Sequence, residues 1–185
     1  MTRALVPLAA GVEEMEAVII IDVLRRSGWE VVAAGVTPSP ILASRGVRLL
    51  ADAEWSQLDP AAFDILIIPG GAGGTDVLAQ TPSVLAAVRD FRAAGKPLAA
   101  ICAGPLVLQA AGVLHGVRAT CHPGVASRLT ATPRLPERVV VDGNTITSQG
   151  PGTTMEFALA IIEHVDGART AKAVAPGLMM PPSMY

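Results

Sequence analysis

The chain has 185 residues, with 14 basic against 16 acidic side chains and a formal net charge of −2 at pH 7. A chain of this length is expected to form one domain, covering residues 1–185, with a sizeable core. The near-neutral charge, without a basic block or an aromatic-rich stripe, argues against a nucleic-acid partner. Because aliphatic residues dominate and aromatic residues make up only 3% of the chain, the composition favours parallel strands buried on both faces by helices.

The chain opens with a predicted strand, helix and second strand. The apolar run Arg3–Leu8 is interpreted as a strand and not as a signal peptide, because an acidic cluster follows it at once. A helix is predicted over Glu13–Ser27, with acidic residues in its first turn, arginines in its last turn and Gly28 beyond. Trp29–Ala34 is the second strand. No apolar run approaches the roughly 20 residues of a membrane span, so no membrane partner is expected.

The middle of the chain alternates between loops, strands and a helix. Residues 36–53 are rich in proline and glycine, with a short extended piece at Gly46–Leu50. Asp64–Ile68 is a buried strand that ends at a Pro-Gly-Gly turn. Ser83–Ala94 is a predicted helix, and Lys96–Ile101 is the next buried strand.

The last third contains a helix at Leu106–Ala111 and a short extended piece at Val117–Thr120. Val139–Thr147 is predicted to be a hairpin, because its Asp-Gly pair suits a tight turn. A helix is predicted from Thr153 through Glu163, opened by a capping box. The tail, Pro176–Tyr185, is expected to be irregular.

This alternation of strands and helices predicts an α/β doubly wound, mostly parallel sheet with helices on both faces. In such sheets, sites form outside the carboxyl ends of the strands. The segments expected to meet at that edge are Gly11–Glu16, Pro69–Gly71, Cys102–Gly104, Thr120–Pro123 and Gly150–Thr153.

Cys102 is the leading candidate for a reactive residue, because it lies on the turn between a buried strand and a helix. Such a turn lifts its central side chain out of the sheet and places it near helix N–H groups that stabilise a thiolate. We therefore expect a lowered thiol pKa. The alternative is a small buried residue packed under the helix, since free cysteine is among the most buried residue types.

Glu16, in the first turn of the first helix, is the candidate partner of Cys102. Two anions in one partly buried site repel each other, so the pair should keep one proton, which we expect on Glu16. The two groups would then titrate jointly. The alternative is an ordinary acidic residue at a helix N-terminus, as we expect for Glu13 and Glu14.

His122 is a second candidate for moving protons, since a Cys/His pair is the usual minimum for a thiol nucleophile. A loop histidine held by ordinary hydrogen bonds is the alternative. Cys121 is the second thiol; it lacks the strand-to-helix turn and is expected to be structural or a secondary redox site. Both cysteines are expected to be free thiols, and the composition suggests a cytoplasmic protein.

Backbone N–H groups of Gly70, Gly71 and Ala103 could together hold an oxyanion. The glycine-rich segment Pro69–Gly74 lacks the Gly-Lys-Ser/Thr ending of a phosphate-binding loop and is not a convincing dinucleotide fingerprint. No zinc-like Cys/His spacing is present, so no metal and no organic cofactor is expected.

The motifs at the predicted sheet edge, taken in order over nearly the whole chain, resemble the ThiJ/PfpI superfamily. Within it, the match is closest to the branch that includes the Parkinsonism-associated protein deglycase and its bacterial relatives. The motifs that carry the resemblance are Gly11–Glu16, Ile68–Gly71, Ala100–Pro105, Thr120–Pro123 and Gly150–Thr153.

This resemblance implies a flavodoxin-like sandwich and a homodimer. It implies that Cys102 is the reactive cysteine, Glu16 the proton-sharing glutamate and His122 the pocket histidine. It further implies that Arg45 contacts the pocket from a partner subunit or a neighbouring loop, and that Gly150 and Pro151 line the pocket. This chain departs from the family pattern at Cys121, expected as a second thiol at the pocket rim, and in its C-terminal tail.

Three classes of function remain open at this point. The first is a glutathione-independent glyoxalase or deglycase acting on small reactive carbonyls such as methylglyoxal, with either Glu16 or His122 moving the protons. The second is a peroxide sensor in which Glu16 holds the sulfinate of Cys102, or a chaperone-like stress protein. The third is a module that binds a protein partner. Thiol proteolysis is disfavoured, because nothing in the sequence indicates an aligned base or an open substrate cleft.

Overall fold

The computed structural model describes residues 1–181, which fold into a central sheet with helices packed around it. The strands are β1 (Arg3–Leu8), β2 (Glu30–Gly35), β3 (Ile41–Leu42), β4 (Arg48–Leu49), β5 (Ala53–Glu54), β6 (Ile65–Ile68), β7 (Leu98–Ile101), β8 (Val139–Asp142) and β9 (Thr145–Ser148). The α-helices are α1 (Glu14–Arg26), α2 (Ala72–Gln80), α3 (Pro82–Ala93), α4 (Pro105–Ala110), α5 (Thr154–Asp166) and α6 (Ala168–Val174).

The seven-stranded sheet has the order β5-β2-β1-β6-β7-β9-β8. All neighbouring pairs within it are parallel except β8 with β9. Numbered along the chain, the five longer parallel strands lie in the order 2-1-3-4-5, which is the flavodoxin-like order. The predicted doubly wound α/β fold is therefore confirmed. Strands β3 and β4 form a separate antiparallel pair.

Two hydrophobic cores lie on opposite faces of this sheet. Helices α1, α5 and α6 cover one face, where Ile67 and Phe157 are fully buried. Helices α2, α3 and α4 cover the other face, where Leu66 and Val107 are fully buried. Successive strand residues point to opposite faces, and both faces are covered by helices, so both sets of side chains are buried. The strand sequences are therefore continuous apolar runs. Each large aliphatic side chain buried in this way contributes about 1.5–3 kcal/mol of transfer free energy.

Helix α2 was not predicted, because its Gly73 and Gly74 are poor helix formers and typical of a loop. Close packing of α2 against the loop after β1 explains these two glycines. A Cβ on Gly74 would lie 2.7 Å from the backbone nitrogen of Val12, so only glycine lets α2 approach the loop after β1. Helix α6 was also missed, and the extended piece predicted at Val117–Thr120 is reduced to an isolated bridge at Ala119.

The hairpin of β8 and β9 is confirmed, but its turn lies one residue later than predicted. Asp142 pairs with Thr145, so Gly143 and Asn144 are the two loop residues. The predicted capping box of α5 is wrong: the Thr153 side chain makes no capping hydrogen bond to the helix.

The tail was predicted to be irregular from Pro176 onward. Residues Ala175–Leu178 instead form a 3-10 helix, and Leu178 and Met180 pack against the core under α5 and α6. Residues 182–185 of the predicted tail lie outside the described residues.

Candidate active site

The candidate site lies where the strand order reverses, outside the carboxyl ends of β1, β6 and β7. Glu16 comes from the first turn of α1, after β1. Gly70 and Gly71 follow β6 and precede α2, and Cys102 follows β7 directly. This is the place where open α/β sheets bind ligands.

Cys102 adopts a left-handed backbone conformation, with φ of 64°. Apart from glycines, few residues adopt this conformation, which costs about 1–3 kcal/mol and persists only where surrounding contacts enforce it. Two backbone hydrogen bonds do so here. The Cys102 N–H donates to the carbonyl of Ser148 at 3.0 Å, and its carbonyl accepts from the N–H of His122 at 2.9 Å. The thiol is half-buried.

The Glu16 side chain is fully buried beside Cys102. Its Oε2 accepts a hydrogen bond from the N–H of Gly70 at 2.7 Å. Its Oε1 has no hydrogen-bond partner among the described residues. The backbone N–H of Glu16 donates to the Glu13 carboxylate at 2.7 Å, which caps α1 and fixes the start of the helix.

Gly70 lies directly against both candidate residues. A Cβ at this position would overlap the Cβ of Cys102 and would lie 2.5 Å from Oε2 of Glu16 and 3.0 Å from the Cys102 Sγ. Only a residue without a side chain therefore lets the buried carboxyl and the thiol converge at the end of β6.

The carboxyl and the thiol behave as one coupled pair. Burial raises the pKa of Glu16 to about 7. Burial, together with the neighbouring charge of Glu16, raises the pKa of Cys102 to about 12. Such values belong to the pair, which holds two protons below about pH 7 and one proton from there to about pH 12. The sharing of one proton near neutral pH therefore has a structural basis, but its predicted location on Glu16 is wrong: the carboxyl has the lower pKa, so the remaining proton is on Cys102.

The prediction of a lowered thiol pKa is wrong. The N–H groups of Gly71 and Ala103 donate toward the Cys102 sulfur and lower its pKa, but burial and the adjacent carboxylate have the larger effect. One reason is that α4 has only six residues, so few aligned peptide dipoles act on the sulfur.

The predicted oxyanion donors divide into two groups. The N–H of Gly70 is occupied by Glu16 and is not free for a ligand. The N–H groups of Gly71 and Ala103 converge on the sulfur of Cys102. An oxygen that develops on a carbon bound to this sulfur would form close to these two donors.

The exposed His122 ring lies over Gly150. A Cβ on Gly150 would be 3.3 Å from Cδ2 of His122 and 3.9 Å from Oε1 of Glu16, so this glycine lies between the imidazole and the buried carboxyl. Nδ1 of His122 accepts a hydrogen bond from the N–H of Gly124 at 3.0 Å. In the neutral ring the proton is therefore on Nε2, which acts as a donor.

Ser148 and Thr153 form a buried support for the site. The sequence analysis placed Thr153 in a segment at this edge but missed Ser148. Their hydroxyl oxygens are 2.6 Å apart. Thr153 Oγ1 also accepts from the N–H of Gly150 at 3.1 Å and donates to the Gly150 carbonyl at 2.9 Å. The same Ser148 holds the Cys102 backbone. Its signal in the sequence is a polar residue at the buried end of an interior strand.

Three further predicted residues lie apart from the pair. Cys121 is fully buried in the core under α4, so its predicted place at the pocket rim is wrong and a structural role fits. Pro151 opens a 3-10 helix after Gly150 and makes no described contact with the pair. The exposed guanidinium of Arg45 contacts only the Ser44 carbonyl within the described chain.

Glu14 explains the position of the loop that carries Arg45. Its carboxylate accepts from the Ser44 hydroxyl at 2.8 Å and from the Arg45 N–H at 2.9 Å. Burial opposes ionisation of Glu14, but these hydrogen bonds outweigh it and lower its pKa. The β3–β4 loop is thereby fixed to the start of α1, the helix that supplies Glu16.

Neither a metal centre nor a membrane span is found within residues 1–181. They contain no group of three or more His, Cys, Asp or Glu side chains arranged to hold a metal ion. Every helix among them is too short or too polar to cross a bilayer.

A sequence model of the DJ-1/PfpI family matches residues 2–164. The Parkinson disease protein 7 homolog of Danio rerio is 41% identical over 186 residues, covering 96% of this chain and 97% of that protein. Protein DJ-1 homolog B of Arabidopsis thaliana is 45% identical over 167 residues, which is 89% of this chain but only 38% of the plant protein's length.

A Caenorhabditis elegans protein named glutathione-independent glyoxalase DJR-1.2 is 36% identical over 170 residues, covering 91% of this chain and 90% of that protein. Among solved structures, oxidized Toxoplasma gondii DJ-1 superposes with a TM-score of 0.93 at 39% identity. That comparison covers 97% of this chain and 99% of the other.

Replacing Glu16 by Gln should remove a pH dependence of stability. The folded-state pKa of Glu16, about 7, lies above the ordinary value of 4.5. The neutral carboxyl therefore contributes its full share to the free energy of unfolding below about pH 4.5, and this contribution is lost as the pH rises through 7. Relative to Glu16→Gln, the wild-type free energy of unfolding should fall by about 2–3 kcal/mol between pH 5 and pH 8. Urea denaturation at both pH values measures this.

The matched control is Glu163→Gln, on the exposed surface of α5. It should keep the wild-type pH dependence. An identical pH dependence in Glu16→Gln and wild type would show that Glu16 does not titrate near pH 7 in the folded protein.

Proposed function

Because the chain belongs to the DJ-1/PfpI family, we propose that it is a cysteine-dependent, glutathione-independent glyoxalase or deglycase that acts on small reactive carbonyls such as methylglyoxal. In enzyme classes this is a lyase or a hydrolase. The observation that carries the proposal is the Cys102 thiol, held in a left-handed turn against the buried carboxyl of Glu16. The name of the nematode relative supports the choice of reaction.

The first step would use the single proton of the pair. When that proton moves from Cys102 to Glu16, the thiolate attacks the aldehyde carbon and a C–S bond forms. The aldehyde oxygen takes the proton back from Glu16, which leaves a hemithioacetal and a carboxylate. The N–H groups of Gly71 and Ala103, which face the sulfur, would stabilise the developing oxyanion.

The second step would move hydrogen between neighbouring carbons. The Glu16 carboxylate removes the proton from the former aldehyde carbon and returns it to the adjacent carbon through an enediol, while the hydroxyl proton on the first carbon passes to the oxygen of the second. The first carbon is oxidised to a thioester and the second is reduced to an alcohol, so no external oxidant is needed. Water then hydrolyses the thioester, which releases lactate and restores the thiol.

Of the two proton carriers left open by the sequence, Glu16 fits better. A general base needs a free lone pair, and the Nδ1 lone pair of His122 is occupied by the Gly124 N–H. We assign His122 to donating a hydrogen bond from Nε2 to a substrate oxygen.

Wild-type protein should convert methylglyoxal to lactate without glutathione, and Cys102→Ser should reduce lactate formation to the uncatalysed background. The assay measures lactate directly, with enzyme free of buffer amines and thiols, because these react with the aldehyde. Cys121→Ser is the matched control: it removes the buried thiol and should retain most of the activity.

Equal lactate from wild type and Cys102→Ser would exclude this mechanism. Reversible loss of methylglyoxal without lactate would instead indicate a scavenging thiol.

Peroxide sensing by the same thiol is a second candidate function. One observation favours it: Oε1 of Glu16 has no partner among the described residues, so a protonated Glu16 could donate to a sulfinate oxygen on Cys102. A related protein, Toxoplasma gondii DJ-1, has been solved in an oxidized form.

Mild peroxide should oxidise Cys102 before Cys121. Access decides the order, because Cys102 is half-buried and Cys121 is fully buried. Glu16→Asp shortens the donor and should speed the further oxidation of the sulfinate to the sulfonate, whereas Glu16→Gln keeps a donor and should protect partly. Residue-resolved mass spectrometry after graded peroxide measures both effects. Oxidation of Cys121 first, or an unchanged product series in Glu16→Asp, would contradict the proposed pair.

A cytoplasmic location fits this chemistry. The two cysteines of the chain are both free. Reducing compartments keep thiols in this state, whereas secreted proteins convert them to disulfides. We propose a cytoplasmic location on this ground.

A homodimer is also proposed, through an exposed apolar surface beside the site. Met15 and Val18 of α1 are 55% and 49% exposed, and Leu42, Val47 and Leu50 around the β3–β4 hairpin are 54%, 47% and 78% exposed. Exposed apolar residues grouped in this way mark an association surface. Arg45 lies in the same hairpin, so association here could bring it to the partner's site.

Light scattering at micromolar concentration should report twice the chain mass of 19.0 kDa. Val18→Asp should shift the protein toward the monomer, because a carboxylate would be buried in the interface. Val141→Asp is the matched control: Val141 is 45% exposed on the edge strand β8, outside this surface. A wild-type monomer, or equal effects of the two substitutions, would refute the proposed interface.

A further inference from the structure

A cavity of about 500 Å³ lies at the end of the sheet opposite to Cys102. Its walls are α3 and the two 3-10 turns between β5 and β6. Lys96, on its lining, precedes β7, whereas Cys102 follows that strand, so the two places lie at opposite ends of the same strand. Nothing in the proposed reaction uses this cavity.

The cavity has the composition of a small-molecule site. It is lined by Trp55, Leu58 and Phe91, together with alanines of α3. The whole chain has only two Trp, three Phe and one Tyr, so two of its six aromatic residues line this one cavity. Ligand pockets in proteins are of this size and combine apolar and aromatic walls with a few polar groups.

The positive charge on the lining belongs to Lys96, which is already hydrogen-bonded to backbone carbonyls. The Lys96 ammonium donates to the carbonyls of Ala61 at 2.8 Å and Phe63 at 2.7 Å, and it lies 5.4 Å from the centre of the Phe91 ring. This lysine therefore ties the 3-10 turns to α3 and leaves at most one N–H for a ligand.

Two carboxylates on the lining leave negative charge for a ligand to neutralise. Among the residues that the structure describes, the Asp59 side chain accepts only from the backbone N–H of Ala61, at 3.0 Å. Asp90 lies in the last turn of α3, where the helix dipole disfavours an anion, and it forms no ion pair within residues 1–181. Asp59 and Asp90 are both exposed, and together with the one ammonium of Lys96 they leave the lining with a net negative charge, which favours a cationic ligand over an anionic one.

We propose that this cavity binds a small organic cation, specifically a primary amine with an aromatic or compact apolar body. The apolar body would lie against Trp55 and Phe91, and the ammonium would face Asp59 and Asp90. The hydroxyl of Ser83, which accepts from the Trp55 indole N–H at 3.0 Å, keeps its own proton for a further hydrogen bond at the wall. The site is separate from Cys102 and would bind in the resting protein.

Titration with 2-phenylethylamine, followed by the NMR signal of the Trp55 indole N–H, tests the proposal. The neutral isostere 2-phenylethanol should bind about fivefold more weakly, and 3-phenylpropanoate more weakly still, as expected for partly exposed ion pairs. Asp90→Asn should reduce the preference for the amine, whereas Glu163→Gln on α5 should leave it unchanged.

Two variants locate the binding in this cavity and separate it from the chemistry at Cys102. Ala86→Phe should fill the cavity and abolish binding of all three probes. The substitution leaves the charge of the cavity lining unchanged. Cys102→Ser should bind the amine as wild type does, so the outcome is independent of the proposed reaction. Equal affinity for amine and alcohol in the wild type, or amine binding that survives Ala86→Phe, would overturn the proposal.

Discussion

The buried contact between Glu16, Gly70 and Cys102 is the constraint on which the rest of the site depends. A carboxyl group removed from water is unfavourable as an anion unless hydrogen bonds compensate it. Here one N–H donor, from Gly70, partly compensates the charge, and the pKa rises to about 7. This arrangement requires α1, the end of β6 and the turn after β7 to meet at one point. A side chain at position 70 would separate them.

Strand β9 supplies the second part of the arrangement. The carbonyl of Ser148 holds the N–H of Cys102 in its left-handed turn, and the hydroxyl of the same residue contacts Thr153. Thr153 in turn fixes Gly150 against Glu16 and His122. Because these contacts share residues, displacing any one of them would move both the nucleophile and the groups around it, and their energies are not expected to add.

In this site a reactive cysteine does not require a lowered thiol pKa, because the thiol shares its proton with a neighbouring carboxyl. A reactive cysteine is usually identified with a lowered pKa. In this site burial raises the thiol pKa, and the nearby carboxyl supplies a local place for the proton. The thiolate can then form by transfer within the pair, at constant net charge, without loss of a proton to solvent. Such a pair suits addition to an aldehyde, in which the same proton is needed again on the product oxygen.

The sequence by itself determined the α/β fold, the approximate bounds of β1, α1, β7 and α3, and the segments at the carboxyl edge, because apolar periodicity and turn residues are local signals. It did not determine α2, whose glycines are explained only by contact with Val12. Only the tertiary structure decided that Gly70 donates to Glu16, that Ser148 holds Cys102, and that Cys121 is buried. Burial, the orientation of N–H groups and thiol pKa depend on residues far apart in the chain, so no local pattern specifies them.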